Sequence, residues 1–281
     1  MQVLRDLTVG VFYWISDDAK ATVAEIVDLG VEACQLAVTG ERKLTPELIA
    51  AYRNELAKAG LGVATVFAAY EGERYDDIPT VVRTVGFMPR STRAARELRT
   101  RQVIDFGAAL GVGSFGCHVG FVPEDRSDPD YVDVRDVVRR IADYAASCGM
   151  TFSLETGQEP AQLLLQFFRD VDRPNVKINF DPANMILYGS GEPIEAFRLL
   201  APHVVSIHGK DGDWPDPAKP GALGTERPLG SGSVNIAGFV RAVRESGFVG
   251  TINVESGVHG DEPHAVTLKN AVSLLKRLRD S

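Results

Sequence analysis

Cysteine is scarce in this chain, and basic charge is in deficit. Among 281 residues there are three cysteines, Cys34, Cys117 and Cys148, an odd number with no paired spacing. That excludes a disulfide framework; small buried hydrophobes in a reducing compartment account for them. Lys and Arg number 30 against 38 Asp and Glu, a net charge of -8. Such a surface speaks against a nucleic-acid partner, which requires Lys and Arg to displace phosphate counterions. No apolar run approaches the ~18 residues of a membrane span, so no membrane partner is expected. The N-terminal run LTVGVFYWI stops at Ser16-Asp17-Asp18 with no small-residue cleavage pattern. It reads as a first strand rather than a signal peptide, and a cytoplasmic protein is expected. A Gly-rich dinucleotide fingerprint after that strand is missing too. So are low-complexity linkers and internal repeats. With 44% hydrophobic and 24% charged residues, the composition is that of an ordinary globular chain. Its length suits two domains or one large α/β barrel, and a barrel buries a large core without disulfides.

What is present is alternation. Strand-like runs at 7–14, 33–38, 63–70, 115–120, 151–156, 176–181, 204–209 and 251–256 are each followed by a helical pattern. Those patterns cover 17–28, 46–59, 91–110, 131–148, 160–171, 193–200, 236–246 and 262–279. Local signals support the boundaries: Ser16/Asp17 and Thr45 are cap residues, Pro46 stands at a first helical position, and Gly30 and Gly60 close helices. Strict alternation predicts a parallel sheet covered by helices. Several runs read as apolar on both faces, as in a sheet buried on both sides. The expected fold is α/β, a (β/α)8 TIM barrel forming a single domain over 1–281; an open doubly wound sheet is the alternative. Two connections, 71–90 and 212–234, exceed ordinary turns. Both follow strand C-termini, so they overhang the rim where βα loops carry chemistry.

Four residues end strand-like runs in the second half: Glu155, Asp181, His208 and Glu255. Individually each has a plain explanation. Asp181 before Pro182 can cap the next helix, and His208 can be a hydrogen-bonded core histidine. Together at one rim they are harder to explain, because unpaired carboxylates in a barrel mouth are costly to desolvate. One divalent cation held by all four is expected, Mn²⁺ first, with Co²⁺, Zn²⁺ and Mg²⁺ open. The lack of cysteine at these positions excludes a structural zinc site. Two neighbouring oxygens of a sugar or cyclitol would complete the coordination, favouring enediolate chemistry. Glu155 and Glu255, from separate parts of the ring, can approach a substrate from opposite faces as an acid/base pair. His118 is a candidate substrate contact at the end of the fourth run. Lys210 shares the side of His208, and Phe12 and Trp14 are candidates for an apolar wall. His259 and His264 read as surface loop or helix-start residues.

The segment LETGQEPAQLLLQFFRDVDRPNVKINFDPANMILYGSGEPIEAFRLL followed by VVSIHGKDGDWP, with GVGSFGCHVGFVPED, resembles the sugar phosphate isomerase/epimerase group of the xylose-isomerase-like TIM barrels. The resemblance implies one divalent metal held by Glu155, Asp181, His208 and Glu255, with the two glutamates as acid and base. Two departures stand out. Asn184 replaces a histidine frequent three residues after the metal aspartate; it can hydrogen-bond a substrate hydroxyl but cannot be a cationic donor. Gly230-Ser231-Gly232-Ser233-Val234 lacks two carboxylates frequent there. No phosphate site is evident, since Lys219 and Arg227 stand alone in their loop. The expected activity is isomerisation or epimerisation of a keto-sugar. Elimination from an inosose or keto-glycoside and a noncatalytic sugar-binding barrel are the alternatives. Apurinic endonucleases of the superfamily need further histidines, and only five are present. A homo-oligomer is possible.

Overall fold

The alternation closes into a ring. The computed structural model describes residues 7–258 and 263–281. Its strands are β1 (Leu7–Trp14), β2 (Ala33–Val38), β3 (Gly62–Ala68), β4 (Ser114–Cys117), β5 (Thr151–Glu155), β6 (Val176–Phe180), β7 (Val204–Gly209), β8 (Asp211–Asp213), β9 (Thr225–Arg227) and β10 (Gly250–Val254). The helices are α1 (Ala19–Asp28), α2 (Pro46–Ala59), α3 (Ile78–Thr84), α4 (Arg93–Leu110), α5 (Pro129–Ser147), α6 (Ala161–Val171), α7 (Pro182–Tyr188), α8 (Pro193–Leu200), α9 (Ile236–Glu245) and α10 (His264–Asp280). The barrel order is β1-β10-β7-β6-β5-β4-β3-β2, and every pairing within it is parallel. Because β1 pairs with both β10 and β2, no strand edge is left open. This is a single-domain TIM barrel.

The α2 caps act where the sequence placed them, whereas α1 is capped by Asp18 rather than by the expected Ser16/Asp17. Asp18 accepts from Ala21 N and Thr45 accepts from Leu48 N, while Gly60 closes α2 in the left-handed region. Outward strand positions such as Val9, Leu36, Phe115, Leu154, Ile178 and Ile252 are fully or almost fully buried against the helices.

Inward positions differ from the expectation of strands apolar on both faces. They include Gln35, Thr65, Gly116, Ser153, Asn179, Ser206 and Asn253, and the polar ones among them are buried. Burial without loss requires mutual hydrogen bonding. Gln35 Nε2 donates to Asn179 Oδ1 at 3.0 Å across the ring, and Ser206 Oγ donates to the same oxygen. Asn253 Nδ2 donates to Thr251 Oγ1 at 2.9 Å. The lumen is thus a polar column, and the main apolar core is the layer between strands and helices.

The long connections contain structure that their composition did not reveal. Segment 71–90 holds α3, segment 212–234 carries most of the antiparallel β8–β9 hairpin, and α7 follows β6 directly. Two buried arginines of α4 fasten the first of these. Arg96 Nη1 donates to Thr84 O and Gly86 O at 2.7 and 2.6 Å, and its Nη2 donates to Glu71 O at 3.0 Å. Arg93 Nε donates to Phe87 O at 2.6 Å. Strands β3 and β4 end earlier than expected, at Ala68 and Cys117. His264 opens α10, whereas His259 and the expected helix start at Glu262 lie outside the described residues. Among the described residues, no helix is long and apolar enough to cross a membrane.

Candidate active site

Glu155 is the last residue of β5, Asp181 directly follows β6, His208 lies in β7 and Glu255 directly follows β10. Strand parity turns all four toward the barrel axis. One ligand atom from each falls in a group whose members lie within 4.8 Å of one another. His208 Nδ1 stands 3.1 Å from Glu155 Oε1, 3.5 Å from Asp181 Oδ2 and 2.7 Å from Glu255 Oε2. Its other nitrogen, Nε2, is 2.8 Å from Gln35 Oε1 and 3.0 Å from Asn179 Nδ2. An Nε2–H donating to Gln35 fixes the ring so that Nδ1 faces the carboxylates. The polar column therefore aims the imidazole.

This pocket favours positive charge. Burial disfavours a charged His208, but Glu255 and Glu155 outweigh it and hold the imidazole well above its ordinary range. Burial alone would raise Glu255, yet Lys210 and His208 override it and keep that carboxylate well below the usual range. Asp181 is pushed up, by burial, despite the opposing Lys210. Asp181 Oδ2 and Glu255 Oε2 are buried and share one close neighbour, His208 Nδ1, at 3.5 and 2.7 Å, which cannot satisfy both. Such oxygens are costly unless a cation meets them. Three carboxylates and one imidazole nitrogen form a hard donor set, so the residues present fit a divalent cation.

Asp181 does two things at once. Its Oδ1 accepts from Asn184 N at 2.9 Å and caps α7, while Oδ2 joins the cluster. The cap thus orients the ligand. Asn184 Nδ2 in turn donates to Glu155 Oε1 at 3.1 Å. That contact needs the β5 loop pressed against α7 at Gly157, where φ is 141° and a Cβ would lie 2.3 Å from that of Asn184. Lys210 Nζ donates to Glu255 Oε1 at 3.3 Å and lies 3.8 Å from Asp181 Oδ2. His118, one residue past β4, places Nε2 3.1 Å from Glu155 Oε2. Phe12 meets the His208 ring edge-on at a centroid distance of 5.3 Å, and Trp14 meets Phe12 at 5.5 Å. All the substrate-contact candidates, Phe12, Trp14, His118, Asn184 and Lys210, line one cleft of about 600 Å³ together with Glu155 and Glu255.

Several residues here were not singled out from sequence. Gln35 and Asn179 had a signal, since each is an amide at an inward position of an apolar strand. Asp211 had none. Buried, it accepts from Gly212 N, Val234 N, Gly230 N and Gly232 N at 2.9, 3.1, 2.9 and 3.0 Å. The Gly230-Ser231-Gly232-Ser233 stretch thus wraps a carboxylate. Gly232 is required there, because a Cβ would sit 2.4 Å from Asp211 Oδ1. Glu226 of β9 lines the cleft, and its Oε1 accepts from Gly257 N at 2.7 Å, two residues beyond Glu255. Arg227 and Lys219 are paired with Asp213 and Asp216 at 2.6 and 3.7 Å.

The whole barrel has counterparts among solved structures. A xylose isomerase domain protein from Planctomyces limnophilus is 38% identical, with a TM-score of 0.90 and 98% of each chain covered. A xylose isomerase-like TIM barrel protein from Mycobacterium smegmatis, in complex with magnesium, is 20% identical, with a TM-score of 0.68, 93% of this chain and 88% of that one covered. A D-psicose 3-epimerase crystallised in the presence of D-fructose is 17% identical, with a TM-score of 0.71, 98% of this chain and 100% of that one covered. No curated protein matches the sequence. The family described as Xylose isomerase-like TIM barrel matches residues 23–278. The chain belongs to the xylose isomerase-like TIM barrel family.

Proposed function

We propose that this protein is a metal-dependent isomerase or epimerase of a keto-sugar, with Glu155 and Glu255 as its acid/base pair. The observation that carries the reading is the convergence of both carboxylates on His208 Nδ1, at 3.1 and 2.7 Å, beneath a cleft that fits a small polyol. Glu155, Asp181, His208 and Glu255 would hold the cation, Mn²⁺ in this proposal. A divalent cation there would polarise adjacent substrate oxygens.

The side chains do the rest. Glu255, kept ionised by Lys210 and His208, takes a proton from the carbon beside the substrate carbonyl. The electron pair moves into an enediolate. Glu155, entering the cycle protonated, gives its proton to the opposite face of the same carbon for the epimer, or to the former carbonyl carbon for the isomer while the adjacent hydroxyl proton passes to the former carbonyl oxygen; exchange with solvent then resets both carboxyls. His118 holds Glu155 Oε2, and Asn184 holds Glu155 Oε1, so the carboxyl keeps one orientation through the cycle. Phe12 walls the cleft and excludes water from the reacting carbon. The shared fold of a D-psicose 3-epimerase supports this chemistry.

The test is incubation of the Mn²⁺-reconstituted protein with keto-sugars in D₂O. Incorporation of deuterium at carbon without loss of water is expected. Loss of water instead would identify a dehydratase. Glu155→Gln and Glu255→Gln should each lower kcat by about 10²–10⁴. Unchanged turnover in both variants overturns the acid/base assignment.

A further inference from the structure

We propose that the cleft carries an outer subsite for a second, uncharged polyhydroxy ring, so that the substrate is a keto-sugar bearing a glycosidic substituent. The inference rests on the reading above and names its substrate class. The cation-binding cluster draws on β5, β6, β7 and β10, which are neighbours in the ring. The opposite half belongs to β1, β2 and β3, as the Gln35–Asn179 bond across the lumen shows. A single sugar ring anchored at the cluster leaves the β1–β3 half of the cleft open. The volume of about 600 Å³ agrees, being in the range of a drug-sized ligand.

That open half is built for carbohydrate. Aromatic contacts lead outward from His208 to Phe12 at 5.3 Å and from Phe12 to Trp14 at 5.5 Å. Trp14 remains 47% exposed inside the cleft. An indole face suits the C–H face of a sugar ring. Glu41 and Glu71 line the same end, and carboxylates accept bonds from ring hydroxyls. Among the described residues lining the cleft, Lys210 is the single Lys or Arg, and it is engaged with Glu255. An anionic second ring finds no partner there.

The outer end is also held in place. A Cβ on Gly40 would lie 2.3 Å from Glu71 N, so the β2 and β3 loops pack backbone to backbone. Helix α4 ties both down: Arg99 Nη2 donates to Thr39 O and Arg42 O at 2.8 and 2.7 Å, and Arg96 Nη2 to Glu71 O at 3.0 Å. Ordered walls of this kind reduce the entropy lost on binding.

The experiment uses the two tryptophans of the chain. Trp214→Phe leaves Trp14 as the sole indole reporter. The Mn²⁺-reconstituted variant is titrated with sorbitol, a bare polyol, and with lactitol and maltitol, in which the same polyol carries a galactosyl or glucosyl ring. Calorimetry and Trp14 emission are read together. The disaccharide alcohols should bind at least about tenfold more tightly than sorbitol and shift Trp14 emission to the blue. Trp14→Ala should collapse that ratio toward one, which a merely structural role, weakening all three ligands alike, would not do. Equal affinity for all three overturns the outer subsite while leaving the proposed function standing. Binding of none of them also overturns the outer subsite, while the proposed function stands or falls separately on keto-sugar turnover in D₂O. Protein-concentration-dependent burial of Trp14 without ligand would assign this face to a second copy of the chain and also overturn the subsite.

Discussion

Replacing Asp211 with alanine is the most quantitative perturbation the site offers. The side chain is 1% exposed, and its two oxygens accept four backbone N–H groups. Alanine strands all four donors at once. Gly230 is exposed and Gly232 half-buried, so water can take over those bonds; Gly212 and Val234 are buried, and water cannot reach them easily. A buried unsatisfied donor costs about 1–3 kcal/mol, so the two buried donors together cost about 2–6 kcal/mol. The charged acceptor puts the value toward the upper part of that range. Chemical denaturation followed by circular dichroism measures the loss. Amide exchange locates it: Gly230, Gly232 and Val234 should lose protection first, because the wrapped stretch has lost its centre. Asp213→Ala is the control, since Asp213 is half-buried and pairs with Arg227 and Ser233. That variant should cost under about 1 kcal/mol. If Asp211→Ala unfolds within about 0.5 kcal/mol of the native protein and keeps its amide protection, the cradle contributes nothing and the reasoning is wrong.

Three further outcomes are expected. Adding Mn²⁺ at 100 times its Kd should stabilise the chelated protein by about 2.7 kcal/mol, and Asp181→Ala should abolish that shift; a shift that survives in the variant locates the ion elsewhere. Lys210→Met should bind the divalent cation about tenfold more tightly, because a positive charge 3.3 Å from Glu255 and 3.8 Å from Asp181 competes with it; weaker binding in a titration would refute this. Glu159 accepts from Val122 N at 3.1 Å, and burial pushes its carboxyl from 4.5 up to about 7. The folded form then keeps a proton the unfolded chain has shed, so the contribution of Glu159 to stability is full below about pH 4.5 and is lost as pH rises through 7. The loss is on the order of 3 kcal/mol, and Glu159→Gln should flatten that slope in denaturation curves taken across the window.

The barrel was legible because its signals are local and repeated. Each strand-like run precedes a helical pattern, and caps such as Thr45-Pro46 and Gly60 mark real boundaries. The rim cluster was legible for a related reason: a carboxylate or imidazole at the end of an apolar run has few inexpensive places to go. Helices α3 and α7 were not, because each is a seven-residue element in a segment rich in turn residues. Asp211 escaped notice because its role depends on backbone N–H groups around twenty residues downstream, which carry no side-chain signature. Calling several strands apolar on both faces failed for a definable reason. The hydrophobic fraction of a short run hides its parity: Ser153, Asn179, Ser206 and Asn253 all occupy inward positions of their strands.

The column of amides and hydroxyls beneath His208 divides the molecule into two regions with different tolerances. Side chains between strands and helices decide whether the chain folds at all, and exchanging one aliphatic group for another there should leave reactivity alone. Within the lumen, a substitution as small as Gln35→Leu removes little packing but frees the imidazole to rotate. Divergence of activity in this protein would therefore begin below the rim, at residues that no substrate touches.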